Sequence, residues 1–71
     1  MKTKKVKTVK TLLEAHGWTL SRVRGDHAIY RKVGAPRSIP VPGKDSDDLA
    51  IGTLKSILRQ AGLTEDDFPG I

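Results

Sequence analysis

Val6, Val9, Leu12 and Leu13 recur at spacings of three and four residues, and Lys5, Lys7, Lys10 and Glu14 occupy positions around them. That period puts the apolar side chains on one face of a helix, predicted over about residues 5 to 16. Gly17 stands where a left-handed residue ends a helix, His16 lies in its last turn near the negative pole, and Trp18 follows as a large apolar anchor. The pattern then changes. "WTLSRVRGDHAIYRK" is rich in β-branched and aromatic residues and is broken by Gly25-Asp26, a dipeptide suited to a two-residue hairpin turn of the primed kind. With that loop Arg24 lies opposite His27, and residues 22/29 and 20/31 pair as well. Trp18, Leu20, Arg22, Arg24, His27, Ile29 and Arg31 then share one face, apolar at its far end and basic at the tip.

"RSIPVP" gives a short third strand with Ile39 and Val41 pointing the same way, and Pro40 and Pro42 make it an edge strand because they lack a ladder donor. "GKDSDD" reads as a solvated loop. In "LAIGTLKSILRQAG" helical spacing returns through Ile51, Leu54, Ile57, Leu58 and Ala61, and Gly62 closes the helix. Thr64 followed by Glu65, Asp66 and Asp67 resembles a helix start, with about a turn of chain before Pro69. The expected order is α-β-β-β-α, an α+β fold whose three-stranded antiparallel sheet carries both helices on one face. The 71 residues are expected to form a single domain.

Charge sharpens this picture. Residues 1 to 44 carry eleven Lys and Arg against two acids, a balance of +9, while residues 45 to 71 carry two against six, a balance of −4. A cationic surface concentrated in one part of a small protein favours polyanions, because each phosphate contact releases counterions. A solubilising surface is the plainer alternative. There are no cysteines, which removes disulfide and thiolate chemistry and fits a reducing cytoplasm. No apolar run approaches the ~20 residues of a membrane span, and the polar start does not read as a signal peptide, so a cytoplasmic protein is expected.

Few constellations carry chemistry. His16 and His27 are the only strong nitrogen ligands and "DSDD" lacks the glycine and distal glutamate of a calcium loop, so neither metal nor cofactor is expected. Nothing resembles G-x-S-x-G. Gly52-Thr53 falls near the start of the second helix, where free N–H groups attract anions, although a close helix–sheet contact at Gly52 explains that glycine equally well. His16 reads as a helix-end residue. His27 stands among Arg22, Arg24, Arg31 and Lys32, side chains suited to phosphates. RNA is cleaved without metal when its own 2′-OH attacks the neighbouring phosphate, which needs proton transfer near neutrality and positive charge for the phosphate oxygens. The residues alone leave both readings of His27 open, an exposed hairpin side chain or a proton-transfer group.

Gly17-Trp18, "RGDHAIYRK", "IPVPGK" and "IGTLKSILRQAGL" resemble, in that order and spacing, the HicA toxins of bacterial type II toxin–antitoxin systems, over about residues 6 to 68. The most specific part is the pairing of the Gly-Asp-His turn with the late "GTLKSILRQAGL" helix. The resemblance implies a fold similar to the double-stranded-RNA-binding domain and an mRNA interferase that cuts RNA. It also implies a HicB-type antitoxin partner, and places the family's essential histidine on His27. The turn has Asp26 where the family commonly has serine, and Ala28 where a second histidine is frequent. The second proton transfer then falls to water, to Tyr30 or to the substrate, and Asp26 is placed to orient the His27 ring.

The expected function is therefore a toxin acting as a metal-independent endoribonuclease on mRNA. His27 is expected as general acid/base, Arg22, Arg24, Arg31 and Lys32 as the RNA-binding residues, and the Lys-rich first helix as a steering surface. The alternative is a non-catalytic RNA-binding module of the same fold, reading duplex RNA by shape and phosphate contacts. A module that binds only protein is a third class, and lack of RNA binding even at low salt would favour it.

Overall fold

A computed structural model describes residues 2–68, so the Pro69 boundary lies outside the described residues. Helix α1 spans Val6–Ala15, strands β1, β2 and β3 span Thr19–Arg24, His27–Arg31 and Ile39–Pro42, helix α2 spans Ile51–Ala61, and a 3-10 turn follows at Glu65–Asp67. The sheet is antiparallel in the order β1-β2-β3, so the α-β-β-β-α order and the α+β class hold. Thr64 and Asp67 form a reciprocal capping box at the 3-10 turn.

The core lies between the helices and one face of the sheet. Val6, Val9, Leu12 and Leu13 of α1 and Leu54, Ile57 and Leu58 of α2 are buried with Ala28, Tyr30, Ile39 and Val41 of the strands. Both helices thus cover the same face. Full burial of a leucine such as Leu13 or Leu54 contributes about 1.5–3 kcal/mol. Among the described residues no helix is long and apolar enough to cross a membrane.

Two expectations need correction. Arg24 pairs with His27 and Arg22 with Ile29, but Leu20 lies opposite Tyr30, not Arg31, because the register shifts between Leu20 and Arg22. Ser21 is the extra residue of a β-bulge, and a one-residue slip sends every side chain beyond it to the other face. Leu20 therefore joins Tyr30 on the helix-bearing side, Trp18 is buried in the core, and Thr19 faces Arg31. The basic face thereby loses its expected apolar end.

The acidic loop is more than a solvated connection. The Asp47 carbonyl accepts the Val6 N–H at 2.9 Å and the Asp45 carbonyl accepts the Lys7 N–H at 3.1 Å. These are donors that the start of a helix otherwise leaves unsatisfied, and α1 has no side-chain cap of its own. Asp45 also pairs with Lys10 at 2.7 Å and Asp48 with Lys5 at 3.1 Å. Two of the lysines expected to steer an anion are thus held against acids.

Candidate nucleic-acid interface

The hairpin tip is built by Gly25 and Asp26. Gly25 takes φ +62° while Asp26 stays at negative φ, the pattern of a turn with glycine first, which matches the twist of the flanking strands. The tip is anchored from β3: the Gly43 N–H donates to the Asp26 carbonyl at 3.0 Å. Gly43 itself sits at φ +93°, and a Cβ there would lie 3.2 Å from Asp47 Oδ2 and 3.4 Å from Val6 Cγ2. The exit of β3 therefore holds the turn that carries Asp26.

That turn fixes the imidazole. Asp26 Oδ1 lies 2.8 Å from His27 Nδ1. A carboxylate only accepts, so the Nδ1 nitrogen carries the proton of a neutral ring and Nε2 is left as its free acceptor. The His27 side chain is 47 % exposed, accessible to a large substrate. It lines a groove of about 340 Å³ with Pro40 and Pro42 of β3 and Gly52, Thr53, Ser56, Ile57 and Gln60 of α2. That volume is in the range of ligand sites.

Around His27 the structure divides the expected phosphate contacts. Arg24 lies directly opposite it and Arg22 opposite Ile29 on the same outward face. Arg31 shares that face by strand alternation but stands about 13 Å further along β2. Lys32 does not belong with them. Its aliphatic chain crosses Gly17, with Cε 3.3 Å from where a Cβ would be, and it lines a separate hollow with Trp18, Arg59 and Gln60. Strand alternation already puts the residue after Arg31 off the outward face, which a grouping by charge alone misses.

Tyr30 is also removed from the list of proton-transfer partners. It is buried on the helix-bearing side and its hydroxyl donates to Glu14 Oε2 at 3.3 Å. Burial, then the Glu14 charge and that hydrogen bond, push its pKa up to about 12. His16 lines a different groove, with Lys7, Thr11 and Asp67. Among the described residues no three His, Cys, Asp or Glu side chains converge as a metal-binding group.

The sequence reading missed the link between the hairpin and α2. Gly52 is exposed, and a Cβ there would meet nothing within 4 Å, so it makes no close helix–sheet contact. It faces the His27 groove. The N-cap, Ala50, offers no side-chain cap, and the first turn has no acid. Among the described residues nothing accepts the N–H groups of Ile51, Gly52 or Thr53. A signal for this was present in the small polar stripe Gly52, Thr53, Ser56 and Gln60, which leaves a trough along an otherwise ordinary amphipathic helix.

Comparison with known families shows that a sequence model of the HicA toxin of bacterial toxin–antitoxin systems matches residues 6–63. No curated protein matches the chain.

Proposed function

Because this chain belongs to the HicA toxin family of bacterial toxin–antitoxin systems, we propose that it is a cytoplasmic endoribonuclease that cuts mRNA without a metal ion. The 71 residues then act as one toxin domain. The observation that carries this reading is His27 itself: its Nδ1 is engaged by Asp26, and its side chain lines a groove shared with the start of α2. In the proposed reaction His27 Nε2 takes the proton of a ribose 2′-OH. The 2′-oxygen bonds to the adjacent phosphorus, the bond to the 5′-oxygen breaks, and the leaving oxygen takes a proton from water or from the substrate. Arg24 supplies positive charge to the phosphate oxygens, and Arg22 and Arg31 hold the strand on the same face. The open N–H groups of α2 add a favourable pole for the same anion. Lys32 lines a hollow that His27 does not share, and is assigned no part at the scissile phosphate.

A HicB-type antitoxin, as the proposed partner, neutralises the toxin by presenting acids to Arg22, Arg24 and Arg31. The test of the enzyme is incubation of a defined mRNA with the parent and with a folded His27→Ala protein in excess EDTA. Cleavage by the parent is expected to fall by about 10²–10⁴ in the variant, the contribution of one positioned proton-transfer group. Equal cleavage by both proteins refutes the assignment of His27. Intact RNA in both, with duplex RNA retained at moderate salt, leaves a binding module instead.

A further inference from the structure

The His27 groove does not stop at Gln60. The same side chain lines a second hollow with Ala35, Pro36, Arg37 and Ile39, and a third with Trp18, Lys32, Ala35 and Arg59. Three depressions along α2 thus share Gln60 as a lining residue. Gly52 and Gln60 are about 12 Å apart along the helix axis. Apart from His27, the first stretch is lined by uncharged residues, among them Pro40, Gly52, Thr53 and Ser56. At its far end stand three cations, Arg37, Arg59 and Lys32, all exposed. Among the described residues none of the three forms an ion pair, whereas Lys5 and Lys10 do.

We propose that these depressions form one trough, a binding track for single-stranded RNA that leads from the phosphate at His27 to a second phosphate-binding cluster at Arg37, Arg59 and Lys32. The track rests on the reading of His27 as the cleavage site. It adds a strand path that the basic hairpin face does not supply. The cations lie on both sides of His27, Arg22 and Arg24 before it and the Arg37 cluster beyond it, so a chain crossing the groove is held on both sides of the scissile bond. The trough's shape selects for a single strand. A strand that leaves its bases free can thread between a helix and a sheet edge, with sugar and phosphate against small polar side chains. Flexible cations at an exit bind phosphate without reading sequence.

The test is binding of a fully 2′-O-methylated oligonucleotide of about ten residues, within the site sizes of small single-strand binders and unable to supply the attacking hydroxyl. The Arg37→Ala/Arg59→Ala protein is compared with a Lys2→Ala/Lys55→Ala protein, which loses the same charge at residues that line none of the three hollows. The trough variant is expected to bind about tenfold more weakly at moderate salt. Its plot of log K against log salt should flatten by about 1.4, that is ~0.7 for each lost phosphate contact on a single strand. The control variant should keep the parent's slope. An unchanged slope in the trough variant, an equal loss in the control, or no binding by the parent at low salt each overturns the track. Cleavage of unmodified mRNA by the parent is followed alongside. Its absence would refute the nuclease reading and leave the slope to judge the track.

Discussion

The two helices begin in opposite ways. The start of α1 is closed: backbone carbonyls of Asp45 and Asp47 take its first N–H groups, and the carboxylates of Asp45 and Asp48 pair with its lysines. The start of α2 is open: Ala50 provides no cap, the first turn has no acid, and Gly52 leaves space beside His27. A helix start carries about half a positive charge and attracts whatever anion is near. In α1 that pole is used by the chain's own acidic loop and holds the fold together. In α2 it faces the groove, and no acceptor among the described residues takes it up. The same physical element serves stability at one site and, in the proposed reading, ligand binding at the other.

Closing the α2 start is the strongest way to test this contrast. Gly52→Asp puts a carboxylate into free space at the second helical position. It should stabilise the fold by about 0.3–1 kcal/mol as a charge near the helix pole, less whatever its added side chain costs in ordering. RNA cleavage should nevertheless fall by roughly 10²-fold, the scale of losing a preorganised anion contact. Thermal melting and a cleavage time course on the same sample show whether the two effects have opposite signs; an active Gly52→Asp protein removes α2 from the site.

The converse experiment loosens α1. Asp47 Oδ2 accepts the Lys44 N–H at 2.9 Å and shapes the loop whose carbonyls cap α1. Asp47→Ala should lower stability by about 1–2 kcal/mol, read from a denaturant midpoint. Cleavage per folded molecule should stay within twofold or so of the parent, since one hydrogen bond away from the groove carries little of the rate. A large specific loss of activity would mean that the acidic loop acts on the site as well as on the helix.

Much of this arrangement was legible beforehand, and what was missed has identifiable causes. Apolar spacing located both helices because their buried faces repeat regularly, and Gly25-Asp26 located the hairpin because few dipeptides suit its turn. The bulge at Ser21 was invisible. An inserted residue leaves no mark on a strand where Thr19, Leu20, Ser21 and Arg22 are all exposed, yet it moved Leu20 to the other face. Lys32 neighbours the arginines in sequence, but as the residue after Arg31 it falls off their face by strand alternation. His27 was identifiable as a candidate from its neighbours, but the α2 end beside it was not. That contact joins residues about 25 positions apart, and single-chain periodicity carries no such information.

A smaller effect separates an orienting role for Asp26 from a merely local contact. Asp26→Asn keeps the side-chain size but replaces a charged acceptor of the His27 Nδ1–H with a neutral amide. A hydrogen bond to a charged group is worth about 1.5 kcal/mol, so cleavage should drop about tenfold. An unchanged rate would show that Asp26 does not orient the ring.

The smallest effect lies on the other face of the sheet, at Tyr30. Its hydroxyl serves Glu14 and the core, so Tyr30→Phe should leave RNA cleavage unchanged and cost only about 0.5–1.5 kcal/mol of stability at neutral pH. The difference should depend on alkalinity. The Tyr30 pKa rises from 10.0 to about 12 on folding, so the folded state favours the protonated phenol. Its contribution is fully present below pH 10 and is lost as pH climbs through about 12. The parent's advantage over Tyr30→Phe, taken from urea midpoints at pH 8 and at pH 11.5, should therefore shrink between those two conditions; lysine titration affects both proteins and cancels in the difference. An advantage that is equal at the two pH values would mean that burial and Glu14 together do not raise the Tyr30 pKa. A Tyr30→Phe protein that folds but no longer cuts RNA would restore Tyr30 as a proton-transfer partner and undo the separation of the sheet's two faces.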